Sequence, residues 1–181
     1  MKLSFCALPT NNAPIMKESN LTQHTKGRLH ISVQAGDFSI DSESQRLKQL
    51  ANSKTEVGAI VTFTGTVRAY SSQQAITALT LEHYPGMTEK QLKEIAVDAM
   101  NRWPLLCVSI IHRIGRLSPG AQIVFVGVGS MHRKAAFESC EFIMDVLKTK
   151  ATFWKKEHFN NSHRWVDVKE SDIQNAQRWT P

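Results

Sequence analysis

The feature that most constrains this chain is an apolar strand pattern at residues 123–129 (IVFVGVG) that runs directly into a helical pattern. The segment has no charged residue, and a run this apolar is typical of a strand at the centre of a sheet. Ser130, which follows it, is a favourable residue for starting a helix. The helix is expected to end near Thr149 and to bury side chains that recur at spacings of three and four, namely Ala136, Cys140, Ile143 and Leu147. The sequence therefore predicts that a central strand leads directly into a helix with one buried face.

Further strand and helix patterns surround this pair. Alternating or β-branched segments predict six more strands, at residues 29–33, 58–68, 76–84, 108–114, 153–159 and 164–168. Capping patterns predict three more helices, which begin at Ser42 with Gln45, at Thr88 with Gln91, and at Ser171. Residues 69–75 are expected to form a polar loop, and residues 119–120 (PG) suit a tight turn. Because strands outnumber helices and hairpins join several neighbours, we predict an α+β fold with a largely antiparallel sheet.

Length and composition fit one domain. The chain has 181 residues, of which 41% are hydrophobic and 21% are charged, and domains most often span about 100–150 residues. Residues 1–27 lack hydrophobic periodicity, so we predict a disordered leader there and a single domain over residues 28–181. No apolar run approaches the roughly 20 residues that a membrane helix needs. The sparse, odd set of cysteines argues against a disulfide scaffold and favours a reducing compartment.

The chain carries an excess of positive charge, with 22 Lys and Arg against 16 Asp and Glu, a net charge of +6 and a pI of about 9.4. A basic surface attracts phosphate groups, which a nucleic acid, a membrane or a small substrate would supply, and it also attracts acidic proteins. Charge alone does not choose among these. The sequence has no HExxH, Walker, GxGxxG or GxSxG motif, so the metal, nucleotide and hydrolase chemistries of those motifs are unsupported.

Two segments at the ends of strands are candidate sites, and the first of them suggests anion binding. His132 and Arg133 open the helix that follows the central strand, where free N–H groups and the positive helix pole favour an anion. Thr64, Gly65 and Thr66 lie near the end of another strand, where Arg68 meets the loop. The alternatives are exposed polar residues at a helix cap in the first case and an ordinary strand end in the second, and the pattern leaves both open.

The third segment is the basic run at residues 148–157, KTKATFWKKE. Clustered lysines lower one another's pKa by repulsion, and partial burial adds to this effect, so one of them is a candidate base or nucleophile. A solvated basic face is the more frequent explanation of such a run. Lysines interleaved with aromatic residues are also compatible with binding of single-stranded nucleic acid. His83 and His112 fall on strand faces and are expected to be packed rather than metal-bound.

Seven motifs, taken together and in order, resemble the large, catalytic subunits of molybdopterin synthase. They extend over residues 58–179 and read TFTGTVR, LTLEHYPGMTEK, NRWP, IHRIG, FVGVGSMHR, FIMDVLKTKATFWKKE and RWVD. The resemblance implies an α/β-hammerhead fold and a catalytic role for the domain at residues 28–181. It also implies sulfur transfer in molybdenum cofactor biosynthesis, with no metal or organic cofactor.

The resemblance implies partners as well. A ubiquitin-like small subunit would insert a Gly-Gly tail that ends in a thiocarboxylate. Two such sulfurs, one from each thiocarboxylate, would be transferred to cyclic pyranopterin monophosphate and form the dithiolene of molybdopterin. Two large subunits would form a homodimer at the centre of a heterotetramer in the cytoplasm. Neither a nucleic acid nor a membrane is implied as a partner.

Site residues follow from the same resemblance. Lys148 and Lys155 match the catalytic lysines, the first beside the donor carbonyl and the second at a substrate oxygen. The substrate contacts match these two lysines and Thr66, Val67, Arg68, His132, Arg133, Lys156 and Glu157, and the pocket lining matches Phe63, Met144 and Arg164. In such dimers some of these residues face the partner's site.

Two departures from the family and two rival functions stand beside this interpretation. The loop at residues 69–75 lacks the glycine that the family usually has, and the segment before residue 27 has no counterpart. The rivals are a basic RNA-binding domain and a non-catalytic scaffold for a ubiquitin-like partner. Steep salt dependence would identify RNA binding, and the retained lysines argue against the scaffold.

Overall fold

In the computed structural model, residues 28–51 and 55–180 are described, and the predicted leader lies outside them. The described residues form these elements in chain order: β1 Leu29–Gln34, α1 Ile40–Leu50, β2 Ala59–Thr66, β3 Tyr70–Ser71, β4 Gln74–Ala75, β5 Ala78–His83, α2 Met87–Arg102, β6 Leu105–Arg113, β7 Gly115–Leu117, β8 Gln122–Ser130, α3 Arg133–Lys150, β9 Phe153–His158, β10 His163–Val166 and α4 Glu170–Gln177.

The strands build two four-stranded sheets and one small hairpin. The first sheet has the order β1-β6-β8-β2, the second has the order β10-β9-β5-β7, and β3 pairs with β4. Among the described strands, β1 and β6 form a parallel pair and every other pairing is antiparallel. A parallel pair needs a long crossover, which the chain between β1 and β6 supplies. The prediction of an α+β fold with a largely antiparallel sheet is confirmed.

The main core lies between the first sheet and the helices α2 and α3. The predicted central strand is confirmed, because β8 lies between β6 and β2 and is buried from Val124 to Ser130. The four residues that the helical spacing predicted to be buried in α3 are at most 5% exposed. A second cluster on the other face packs Leu47 of α1 against Phe125 of β8. The first sheet is thus covered on both faces, and α3 is held against one of them.

The first helix starts earlier than its capping pattern predicts. α1 begins at Ile40, two residues before Ser42. Ser39, which precedes the helix, has an extended backbone, and its hydroxyl accepts a hydrogen bond from the N–H of Ser42 at 3.3 Å. This bond satisfies an N–H group of the first turn that would otherwise lack a partner. The predicted start at Ser42 with Gln45 is therefore wrong in position, because Ser39 performs the capping.

The other predicted caps are also wrong in position. α2 begins at Met87 after Gly86, whose N–H donates to Glu89 at 2.7 Å, while the predicted residues Thr88 and Gln91 bind Thr152 beyond the end of α3. The predicted cap Ser130 is the last residue of β8, and its hydroxyl donates to the carbonyl of Pro104. In each case a tertiary contact uses the polar side chain that the local pattern assigned to a cap.

Two further predictions are corrected near the second sheet. The predicted loop at residues 69–75 contains the hairpin of β3 and β4, with Ser72 and Gln73 at φ values of 48° and 69° in its turn. The last helix begins at Glu170 after Lys169 rather than at Ser171. The predicted turn at Gly120 is confirmed, with a φ of 83°.

Candidate functional site

The strand β9 divides the basic run between two faces of the second sheet, because side chains alternate along a strand. Lys155 lies opposite Leu81 of β5 and Val166 of β10. Lys156 points the other way, where its Nζ lies 4.1 Å from the ring centre of Trp165 and 3.7 Å from Glu82. The lysines of the run therefore do not form one continuous basic surface.

Lys148 lies in the last turn of α3 and reaches α4. Its Nζ donates to Oδ1 of Asp172 at 2.9 Å, and the two side chains are 41% and 19% exposed. The lysine is thus accessible from solvent while its position is fixed by one carboxylate. Sequence reasoning missed Asp172, because an acidic residue in the first turn of a helix is ordinary and no local pattern connects it to Lys148.

Lys155 has a lowered pKa. Burial is the largest cause; the negative charge of Asp172 opposes it, and the positive charges of Lys148 and Lys169 add to it. The run left open a lysine of lowered pKa and a solvated basic face, and Lys155 fits the first, although burial contributes more than the repulsion between lysines. The same electrostatic interactions place Lys148, Lys155, Lys169 and Asp172 in one group of charges, which we call the lysine cluster. Lys169 was also missed, because its proximity to Lys155 arises only in the folded chain.

A buried carboxylate lies two residues along β9 from Lys155. Glu157 is 7% exposed and pairs with Arg164 of β10 at 2.8 Å. Arg164 also donates to the hydroxyl of Ser71 at 3.3 Å. This contact brings the β3–β4 hairpin against the strand pair that carries Lys155.

Three predicted substrate contacts lie at the end of β2 and in the segment that links it to this hairpin. Val67 is buried with Leu79, Leu81 and Leu117, and its backbone makes hydrogen bonds with Gly120 and Ala121. Its neighbours Thr66 and Arg68 are exposed. Because Leu81 pairs with Lys155 in the second sheet, this segment lies beside the strand pair that carries the lysine.

The predicted pocket-lining residues differ in exposure. The side chain of Phe63 on β2 is 41% exposed, whereas Met144 on α3 is half-buried and packs against the main core. Met144 lies one helical turn before Lys148 and therefore on the same side of α3. This places an apolar side chain next to the accessible lysine.

His132 and Arg133 lie at the opposite end of α3 from Lys148. Both are exposed, and His132 is the N-cap residue of the helix. At a rise of 1.5 Å per residue, about 22 Å separates Arg133 from Lys148 along the helix axis. Within one chain the structure therefore does not bring the two predicted groups of site residues together.

The prediction of a packed histidine is confirmed for His112. This residue of β6 is 2% exposed, and its ring stacks on Phe153 with 3.6 Å between ring centres. Burial lowers the pKa of His112 to about 4, and the charges of Lys155 and His83 add to this effect. A neutral imidazole and an aromatic ring thus line the side of β9 that carries Lys155.

Other ligand classes have less support among the described residues. Within the described ranges, no three His, Cys, Asp or Glu side chains are grouped so that they would hold a metal ion. No helix in residues 28–51 or 55–180 is long and apolar enough to cross a membrane. The fold and the lysine cluster together define an α+β protein with a cationic, half-buried site suited to an anionic ligand.

The comparisons give the family. The sequence matches the family described as MoaE protein over residues 33–150. It is 56% identical to the molybdopterin synthase catalytic subunit of Escherichia coli (strain K12), over 78% of this chain and 92% of that protein. The chain belongs to the MoaE protein family.

Solved structures agree with this assignment. A molybdopterin biosynthesis MoaE protein from Burkholderia ambifaria is 46% identical, with a TM-score of 0.71 over 83% of this chain and 97% of that one. A molybdopterin synthase from Staphylococcus aureus is 28% identical, with a TM-score of 0.66 over 77% of this chain and 96% of that one. The fold class expected from the resemblance is confirmed.

Proposed function

We propose that this chain is the catalytic subunit of a molybdopterin synthase and transfers sulfur to cyclic pyranopterin monophosphate. The observation that carries the proposal is the lysine cluster, in which an accessible Lys148 lies in the same group of charges as a Lys155 of lowered pKa. The family membership supports it, since a relative 56% identical bears the name of that subunit.

The sulfur donor is a ubiquitin-like small subunit whose Gly-Gly tail ends in a thiocarboxylate. The name of the relatives, catalytic subunit, implies that a second subunit exists. A cationic cluster also attracts an anionic tail. Lys148 assists attack by the sulfur or release of the acyl group, and Lys155 holds or protonates a substrate oxygen. A lysine of lowered pKa is suited to this role because it exchanges a proton more readily near neutral pH. The chemistry needs no metal or organic cofactor, since a protein supplies the sulfur.

The phosphate of the pyranopterin binds at His132 and Arg133, where a helix N-terminus adds N–H donors. Because about 22 Å of helix separates these residues from Lys148, the proposal requires that a second copy of the chain supply them. In each active site of such a homodimer, one protomer supplies Lys148 and Lys155. The other protomer supplies His132 and Arg133. Two such sites, each with a small subunit, give a heterotetramer.

The remaining site residues contact substrate, orient another side chain or line the pocket in this proposal. Thr66 and Arg68 contact substrate from the segment beside β9, and Val67, whose side chain is buried and whose backbone bonds Gly120 and Ala121, holds that segment in place. Glu157 orients Arg164 at the pocket wall. Lys156 lies on the opposite face of β9 and contacts substrate only from that side. Phe63 and Met144 supply apolar lining.

The free, buried thiols of Cys107 and Cys140 support a reducing location, which we propose to be the cytoplasm. Burial raises the pKa of both thiols, that of Cys140 to about 12. Thiols held in the protonated form do not compete with the thiocarboxylate as nucleophiles.

Reconstitution tests the proposal. The chain is incubated with the pyranopterin and a thiocarboxylated small subunit, and molybdopterin formation is measured. A small subunit lacking its last two glycines is the matched control. We expect product with the full tail and none with the truncated tail.

Two other results would favour the rival functions. Tail-dependent binding without product would indicate the scaffold alternative. Binding of RNA that weakens steeply with salt, with no response to the small subunit, would indicate an RNA-binding domain.

A further inference from the structure

Asp172 is the acidic member of the lysine cluster. Its carboxylate accepts a hydrogen bond from Lys148 at 2.9 Å and is 19% exposed. Its negative charge also acts on Lys155, whose protonated form it favours. One carboxylate therefore contacts one proposed catalytic lysine and acts on the charge of the other.

We propose that Asp172 is a positioning residue for the two active-site lysines, holding Lys148 beside Lys155 and balancing the positive charge of the cluster. This inference rests on the proposed function, because it assigns Asp172 a part in that same site. With Lys148, Lys155 and Lys169 protonated, Asp172 reduces the charge of the cluster from three to two.

Contacts other than the ion pair also hold the end of α4 against α3. The chain after α4 is fastened to α3 by Arg178 and Trp179, which both donate to Asp145 at 2.9 Å. Trp179 also packs edge to face on Phe142, with 5.6 Å between ring centres. Replacing Asp172 is therefore expected to release Lys148 while α4 stays docked.

Other charged groups also act near Lys155 and belong in the interpretation of any titration. They are Lys148 on α3, Asp172 and Lys169 on or next to α4, His112 on β6, and the Glu157–Arg164 pair on β9 and β10. The pair of Glu157 and Arg164 is internally neutral, and His112 is uncharged above about pH 4. The charge of Glu157 is thus balanced by Arg164, whereas Asp172 is the carboxylate whose negative charge acts on Lys155.

The experiment compares Asp172→Asn and Asp172→Glu with the control Glu170→Gln. Glu170 occupies the same first turn, and no ion pair connects it to another described residue. Two properties are measured at several pH values: the kcat and KM of sulfur transfer, and the titration of Lys155 by NMR of labelled lysine, assigned with Lys155→Arg.

We expect Asp172→Asn to lower kcat roughly three- to thirtyfold, as for loss of a charged hydrogen bond at a partly exposed site, with KM for the small subunit nearly unchanged. Lys155 should titrate at a lower pH than in the wild type. Asp172→Glu should restore both properties, and Glu170→Gln should change neither.

An Asp172→Asn protein with wild-type kcat, or one in which Lys155 titrates as in Glu170→Gln, overturns the proposal. A loss of kcat that Asp172→Glu does not restore, with an unchanged Lys155 titration, also overturns it, since that result indicates a structural role. The titration needs no substrate. If the wild type transfers no sulfur, the proposed function fails, while the titration still decides whether Asp172 acts on Lys155.

Discussion

At the scale of single residues, burial decides the charge of the groups around β9. His112 and Lys155 are both bases of lowered pKa, and burial is the first cause in each case. A base that is buried without a direct carboxylate partner loses its proton more easily, because the charged form is poorly solvated. The site therefore joins a neutral imidazole to a cluster of lysines.

His112 makes stability depend on pH. Its pKa is about 4 in the folded chain and 6.5 in the reference state, so the unfolded chain binds more protons between these values and acid favours unfolding. We expect this group to remove about 2 kcal/mol of stability between pH 7 and pH 5. The measurement is the free energy of unfolding in urea at several pH values, for the wild type and for His112→Phe, which keeps a ring against Phe153. Parallel pH curves for the two proteins would contradict the account.

At the scale of secondary-structure elements, one close approach and one turn set the local geometry. β8 approaches α1 at Gly127, where an added Cβ would meet Leu47 and lie 2.8 Å from the ring of Phe125. Both neighbours are fully buried. The β3–β4 turn instead requires positive φ at two residues that are not glycine.

Gly127→Ala should destabilise the protein by about 1–3 kcal/mol, because an extra methyl group in a filled core displaces its neighbours. Gly36→Ala is the control, since an added Cβ there meets nothing within 4 Å. Urea unfolding at neutral pH measures both. Equal stability of the two variants would show that α1 does not pack closely on β8.

Gln73→Gly should stabilise the β3–β4 turn. A residue with a side chain costs roughly 1–2 kcal/mol in the left-handed region, and glycine removes that cost while losing about 0.5–1 kcal/mol of chain entropy. We expect the melting temperature to rise by about 1–3 °C. The neighbouring Gln74→Gly, in a strand, should lower it. A fall in both variants would contradict the turn geometry at Gln73, whose φ is 69°.

Elements with a regular buried face were predicted well from the sequence, and contacts between distant elements were not. Periodicity predicted β8 and the buried face of α3 correctly, because burial against one layer imposes a regular spacing. The caps were misplaced, because Thr88, Gln91 and Ser130 hold distant parts of the chain instead.

The candidate site divides in the same way. Motif resemblance made Lys148 and Lys155 the candidate catalytic residues from the residues around them. Asp172 and Lys169 join these lysines only because α4 docks against α3, and no local pattern records that contact. Their part in the cluster could therefore not be predicted from spacing.

At the scale of the whole molecule, the length of α3 determines which of the proposed site residues one chain can bring together. It keeps Arg133 and Lys148 about 22 Å apart, so the proposed site is complete only when two chains contribute to it. The net charge of +6 favours approach of anionic ligands to both ends of the helix.

Mixed dimers test the shared site. Lys148→Ala and Arg133→Ala should each be inactive alone. A heterodimer of the two variants nevertheless has one intact site, because the Arg133→Ala protomer supplies Lys148 and the Lys148→Ala protomer supplies Arg133. After random reassortment of equal amounts, we expect about a quarter of wild-type activity, since half the dimers are mixed and each has one of two sites. A mixture of Lys148→Ala with Lys155→Ala should stay inactive. Absence of recovery in the first mixture would place the whole site within one chain.

The central claim is that Lys148 takes part in sulfur transfer. The most direct measurement is single-turnover formation of molybdopterin from the pyranopterin and the thiocarboxylated small subunit, with the wild type, Lys148→Ala and the control Lys150→Ala. Lys150 lies in the same last turn of α3 and is exposed, so both variants remove one positive charge at little cost in stability. The account predicts that Lys148→Ala loses nearly all product formation while Lys150→Ala stays close to the wild type. Product formation by a folded Lys148→Ala protein at the rate of Lys150→Ala would contradict it.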